Sequence, residues 1–271
     1  MSVKKIAFFD SGIGGLSILK AGIDRLKMPL CYLGDSFHMP YGERPGWEVE
    51  YYTEQSIRSF GKDIEACVIA CNTATAYGLK NAQEKFPFPV IGVVSPACEY
   101  AATVTKNNKI AYIATEGAVK SRVYEDTLTP IHPEIELRGI GAPDLVLSIE
   151  EGHLDDEEAL STVRRYLNKF EDYDYDTLIL ACTHFPLARQ AFETVFTEQG
   201  RQVTIIDPAV FTINKLMTLL DVEAGKTPAI DFYTTGDVEP FEVLVKRVID
   251  TSSVQTSFGH CTINELPKQY K

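Results

Sequence analysis

The sequence predicts an α/β protein of two pseudo-symmetric lobes, each a mostly parallel sheet flanked by helices, with the functional site in the cleft between them. Three observations carry this. Short apolar runs alternate with amphipathic stretches, the pattern of strand–helix units whose strands are buried on both faces. Three motifs recur in the same order at nearly one offset: KIAFFDSGIG from Lys5 returns as KIAYIATEGA from Lys109, 104 residues on; Cys71 of VIACNTA is matched by Cys182 of LILACTHF, 111 on; and Ser95-Pro96-Ala97 is matched by Asp207-Pro208-Ala209, 112 on. Such internal similarity marks duplicated structural units. The length of 271 residues also suits two domains of roughly 150 residues each.

Along the chain, strands are expected at 6–9, 30–33, 67–70, 90–94, 110–114, 178–181 and 203–206, each short, β-rich and closed by Asp, Ser, Thr, Asn or Gly. Helices are expected at 47–62, 74–85, 158–170 and 187–198, which read as amphipathic. After Ala209 the series has no third partner. The helical run Val210, Ile213, Met217, Leu220, a strand at 230–235 and a helix at 240–249 are expected to return to the first lobe. The lobes are then 1–94 plus 209–271, and 95–208. A separate third domain would be near the lower size at which a core suffices.

Composition narrows the function classes. With 45% apolar and 24% charged residues the chain reads as globular, not disordered, fibrous or membrane-spanning. Its 26 Lys and Arg against 38 Asp and Glu leave a net charge of −12, a poor match for nucleic acid or an anionic membrane, which need clustered cations. A small anionic substrate stays open, because a local site can oppose the global sign. Six cysteines are too sparse for a disulfide scaffold and point to a reduced, cytoplasmic protein. No secretory leader is expected, since the apolar run after Lys4 and Lys5 stops at Asp10.

Open parallel sheets bind ligands at the carboxyl ends of their strands. Those ends carry Asp10 and Ser11, Asp35 and Ser36, and Cys71, Asn72 and Thr73 in the first lobe, then Thr115, Cys182, Thr183 and His184 in the second. A single buried cysteine is most simply core. Two at repeat-equivalent strand ends, each followed by hydrogen-bonding residues and a helix, point to a shared role. A helix amino terminus is expected to lower such a thiol from about 8.5 toward neutrality. One thiol on each side of a cleft suits racemisation at a carbon next to a carboxylate, which needs a base on one face and an acid on the other. That spacing names a reaction geometry and no substrate.

Other features read as structural. His38, in the loop before Met39-Pro40, is expected to be exposed, and His132, His153 and His260 are expected at the surface. Cys31, Cys67 and Cys98 read as small core hydrophobes; with Cys261 they are too scattered for a zinc site, so no metal is expected. Gly12, Gly14 and Gly15 invite a nucleotide reading, with Asp35 near the place of a ribose-binding acid. Yet Ser17 stands where the third fingerprint glycine belongs, and no Gly-Lys-Ser/Thr follows. A nucleotide-binding oxidoreductase and a non-catalytic amino-acid-binding protein are the alternatives from other classes.

The motifs FFDSGIGGLS from Phe8, GDSFHMPYGE from Gly34, ACNTATA from Ala70, TEGAVKSRVYE from Thr115 and ACTHFPL from Ala181 run in order over most of the chain. Together they resemble the cofactor-independent aspartate/glutamate racemase family, and within it the glutamate racemases. The resemblance implies that Cys71 abstracts the α-proton of D-glutamate while Cys182 delivers one to the opposite face, with roles reversed for L-glutamate. It implies that Asp10 and His184 assist Cys71 and Cys182, and that Asp10-Ser11, Tyr41-Gly42, Asn72-Thr73 and Thr183-His184 hold the substrate. Glu150 resembles a family glutamate near the second catalytic half, with Glu151 adjacent. A homodimer without cofactor, supplying D-glutamate for peptidoglycan, is implied as well. An aspartate or hydantoin racemase stays open on the two-cysteine pattern, whereas a related decarboxylase is expected to need only one. Ala118 stands where the family usually has Thr, so a substrate hydroxyl contact is expected to be missing; Ser36, Phe185 and Pro208 replace the more common Thr, Tyr and Ser.

Overall fold

The computed structural model describes residues 3–220 and 223–266. In the first half of the chain β1 (Lys5–Asp10), α1 (Leu16–Ile23), β2 (Leu30–Gly34), α2 (Gly46–Ser59), β3 (Ile64–Ile69), α3 (Asn72–Lys85), β4 (Val90–Gly92) and α4 (Val94–Val104) alternate. The plan repeats through β5 (Lys109–Ala114), α5 (Glu116–Ser121), α6 (Val123–Leu128), β6 (Glu136–Gly141), α7 (Pro143–Glu150), α8 (Glu157–Leu167), β7 (Thr177–Ala181), α9 (Arg189–Glu198), β8 (Thr204–Ile206) and α10 (Pro208–Leu220). Then come β9 (Ala229–Thr234), α11 (Val238–Val248) and β10 (Gln255–His260).

One sheet has the order β10-β9-β2-β1-β3-β4 and the other β6-β5-β7-β8, with parallel ladders throughout. The run β2-β1-β3-β4 therefore recurs as β6-β5-β7-β8. Each repeat seen in the sequence has its counterpart in space: β5 answers β1, β7 answers β3 and β8 answers β4. Strand β9 pairs with β2 and β10 with β9, so the chain beyond residue 229 extends the first sheet.

Burial on both faces explains the apolar strands. In β1, Ile6 and Phe8 enter the core under α1, α10 and α11, while Ala7 and Phe9 enter the opposite core under α2 and α3. In β5, Ala111 and Ile113 face one core and Ile110, Tyr112 and Ala114 the other. Alternation of side chains along a strand makes both faces apolar when both are covered. Each large side chain so buried contributes about 1.5–3 kcal/mol.

Strands β6 and β10 escaped the sequence pattern for the complementary reason. Both are edge strands, and their residues are mostly half-buried or exposed, so ELRGIG and QTSFGH carry no apolar run. The strand expected at 90–94 stops at Gly92, and α4 begins at Val94 with Pro96 in its first turn, where a missing N–H leaves no intrahelical bond unmade. Cys31 and Cys67 lie in strands and Cys98 in α4, all buried; the six cysteines are free. Among the described residues no helix is long and apolar enough to cross a membrane.

Candidate active site

The carboxyl ends of β1, β2 and β3 from one sheet and of β5, β6 and β7 from the other open on a shared cavity of about 180 Å³. Ser11, Tyr41, Gly42, Cys71, Asn72, Thr73, Cys182, Thr183 and His184 line it, as does Glu150 rather than its neighbour Glu151. Asp10 does not reach the cavity. Its buried carboxylate holds the wall instead, accepting from the Gly12 N–H at 2.7 Å and from Thr183 Oγ1, across the cleft, at 3.3 Å.

Strand β3 runs directly into α3, and Cys71 is the helix cap. Its Sγ accepts from the Ala74 N–H at 3.4 Å and lies 3.4 Å from Ser11 Oγ. The expectation that the helix end draws this thiol toward neutrality is overturned. Burial pushes Cys71 up to about 12 and the Asp10 charge adds to it, while Ser11 and the Ala74 amide pull down by less. Asp10 is itself raised by burial, which outweighs the opposing pull of His184 and of its hydrogen bonds.

The second thiol is set differently. After β7 a 3₁₀ turn, Phe185–Ala188, precedes α9, so Cys182 caps no helix. Its sulfur lies 3.7 Å from His184 Nδ1. On the other side of the ring Nε2 is 3.3 Å from Glu150 Oε1, an ion-pair contact without hydrogen-bond alignment. Burial disfavours the imidazolium, but Cys182, Glu150 and Asp10 outweigh it and raise His184 to about 10.

Further bonds tie the two walls together. Thr73 Oγ1 and Thr115 Oγ1 are 2.8 Å apart, and the Tyr77 hydroxyl donates to the Gly117 carbonyl at 3.0 Å. The glycines after β1 serve this closeness. A Cβ on Gly14 would collide with Thr183 Oγ1 and stand 3.0 Å from His184 Nδ1. Asp35, the ribose-binding candidate, is fully engaged: Tyr41 OH donates at 2.6 Å, Thr235 Oγ1 at 2.6 Å and His38 Nδ1 lies at 2.8 Å. The nucleotide alternative thus loses both of its features.

His38 is a correction. It is only 4% exposed, its ring stacks on Tyr52 at 4.0 Å, and Nε2 meets Glu265 Oε1 at 3.0 Å. Its Glu265 partner lies 227 residues away in sequence, which is why a loop histidine reads as exposed. Tyr41 likewise turns its hydroxyl to Asp35. Ala118 is buried and lies outside the cavity lining, with its N–H donating to Thr115 Oγ1 at 3.2 Å. Outside the cavity, Glu151, His153 and Glu158 bring one ligand atom each within 4.8 Å of one another, but His153 is also paired with Asp156, an ordinary surface charge cluster.

Glu116, Met39, Glu43 and the α7 wall also line the cavity, and none of them stands out as a site residue in the sequence. Pro143, Val146 and Leu147 share one helical face there. Their spacing was a usable signal, hidden because β6 before them carried none.

The sequence profile of the Asp/Glu/Hydantoin racemase family matches residues 42–216. The chain is 38% identical to the glutamate racemase of Oceanobacillus iheyensis over 93% of this chain and 94% of that protein. The crystal structure of glutamate racemase isoform RacE1 from Bacillus anthracis superposes with a TM-score of 0.87 at 33% identity, covering 94% of this chain and 96% of that one. Glutamate racemase from Francisella tularensis, solved in complex with D-glutamate, gives a TM-score of 0.85 at 27% identity and covers 98% of both chains.

Proposed function

The chain belongs to the Asp/Glu/Hydantoin racemase family, and from that premise we propose that it interconverts L- and D-glutamate by proton transfer between substrate and the thiols Cys71 and Cys182. The observation that carries the assignment is the pair of thiols, one from each sheet, on one small cavity. With D-glutamate, the Cys71 thiolate takes the α-proton and the C–H electron pair passes toward the α-carboxylate. Cys182 then gives its proton to the opposite face, which leaves L-glutamate, a Cys71 thiol and a Cys182 thiolate. L-Glutamate runs the sequence backwards.

Charge explains the helpers. Burial and Asp10 hold Cys71 in its protonated form. The α-ammonium of the substrate offsets that repulsion, so that Cys71 can release its proton to solvent before it takes the one from the α-carbon. Around Cys182 the imidazolium of His184, backed by Glu150, stabilises the negative charge that develops. Ser11 and Thr73 offer hydroxyls, and Asn72 an amide, to the two carboxylates, while the Thr183 hydroxyl is committed to Asp10. Tyr41-Gly42 closes the wall beside them. The resemblance to the glutamate racemases also supports a cytoplasmic homodimer that works without cofactor and supplies D-glutamate for peptidoglycan.

Purified protein incubated with either enantiomer of glutamate, with no added cofactor, is expected to bring the circular dichroism signal to zero. A folded protein that leaves both enantiomers unchanged would overturn the proposal. Faster turnover of aspartate or a hydantoin would overturn the substrate.

A further inference from the structure

We propose that Tyr124 is a positioning residue that fixes the side-chain amide of Asn72 with its NH₂ group toward the cavity, as a donor to a substrate carboxylate. The inference rests on the cavity being the glutamate site. Asn72 is the first residue of α3, and its buried Oδ1 accepts from the Tyr124 hydroxyl at 2.6 Å, a bond that crosses from one lobe to the other. Its Nδ2 is buried and has no partner. An amide presents opposite polarity at its two ends. Turned by half a rotation, the same side chain would show a carbonyl oxygen to an anionic substrate and repel it.

The phenol decides the orientation. Burial pushes Tyr124 well above the usual tyrosine range, so it keeps its proton. A buried hydroxyl proton needs an acceptor, and Asn72 Oδ1 is the one it has. The reverse arrangement, with Nδ2 donating to the phenol oxygen, would strand that proton. The ring has no freedom to adapt: it is fully buried, stacks on Tyr112 at 4.7 Å, and Tyr112 is tied in turn to Glu125 Oε1 at 2.9 Å. Local backbone brings it there. Between α5 and α6 Arg122 takes a left-handed conformation, φ 58°, which breaks the helix two residues before Tyr124. A carboxylate oxygen from the substrate then gives the unpartnered Nδ2 an acceptor.

The test is a double-mutant cycle in steady-state kinetics with D-glutamate, using the full chain and following thermal unfolding in parallel. Tyr124→Phe keeps the ring stacking and removes the hydroxyl. It is expected to raise KM about tenfold, the scale of one stranded buried acceptor, with kcat changed by less than about threefold. Asn72→Ala is expected to raise KM at least as much, and Tyr124→Phe to add nothing further in that background. An unchanged KM in Tyr124→Phe overturns the inference, as does a double mutant in which the two effects multiply. A fall in kcat and unfolding temperature without a KM change overturns it too, because it marks a purely structural tyrosine. Folded wild-type protein without glutamate turnover overturns the site assignment and this inference together; normal wild-type turnover with an unresponsive KM removes the inference alone.

Discussion

Cys71 and Cys182 end equivalent strands, β3 and β7, yet the chain beyond them differs. At Cys71 the strand passes straight into α3, and the sulfur sits under a backbone N–H with a serine hydroxyl and the Asp10 carboxylate nearby. At Cys182 a 3₁₀ turn comes first, which leaves room for His184 to fold back over the sulfur with Glu150 behind it. Duplication kept the strand order, while the turns after the strands set the charge. The cavity has a carboxylate behind one thiol and an imidazolium beside the other. Its two halves are therefore equivalent in topology and unequal in chemistry.

The comparison breaks most severely if the two thiols are not both needed. Cys71→Ala and Cys182→Ala are each expected to slow racemisation about a thousandfold, within the usual range for an acid–base group, measured by circular dichroism. A smaller loss, about a hundredfold in kcat/KM, is expected of Gly14→Ala, because the added Cβ displaces Thr183 and His184 from across the cleft. Kinetics with unaltered KM and kcat in that variant would show that the first lobe does not set the second lobe's geometry.

The electrostatic half of the comparison has a milder test. Glu150→Gln removes one partner that raises His184, and kcat/KM is expected to drop about tenfold, the scale of one charge-assisted contact. The pH dependence of stability should move as well. A histidine raised from 6.5 to about 10 contributes stability that is fully present below 6.5 and lost as pH climbs through about 10. In Glu150→Gln that alkaline loss should still begin near 6.5 but be complete at lower pH and be smaller in total, read from unfolding temperature against pH. An alkaline limb in the same place would deny the coupling between Glu150 and His184.

The smallest effect concerns how each lobe holds its helices. In the first, Glu54 of α2 is bonded to Lys85 and Asn81 of α3 and to Arg58; burial opposes its charge, but these partners lower it to about 2. In the second, Arg165 and Asp144 join α8 to α7 as an exposed pair. Glu54→Gln is expected to cost about 1 kcal/mol at neutral pH, and Arg165→Ala nearly nothing, in urea unfolding. The Glu54 contribution is present above 4.5 and lost as pH falls toward about 2, so variant and wild type should converge in acid.

Much of this was legible in the sequence because strands covered on both faces are apolar throughout, and because strand ends in parallel sheets gather the polar residues of a site. Among the described residues, eight of the ten strands are ones the sequence pattern predicts. Edge strands β6 and β10 did not, and with β6 went the α7 wall of the cavity. Nor does local sequence report what distant chain segments bring. His38 reads as exposed until Glu265 closes on it, and the amide of Asn72 has no visible partner until Tyr124 arrives from the other lobe. The Cys71 thiol shows the same limit: the helix end is visible in sequence, whereas the desolvation that overrides it depends on the packing of both lobes.

A short incubation with D-glutamate in heavy water separates two thiols that act on opposite faces of the α-carbon from a single group that does both tasks. At early times deuterium is expected at the α-carbon of the L-glutamate formed and almost none in the D-glutamate that remains, because the proton is taken on one side and a solvent-derived deuteron is given on the other. Equal early deuteration of both enantiomers would mean that one group does both tasks, and would contradict the assignment of Cys71 and Cys182 as an opposed pair.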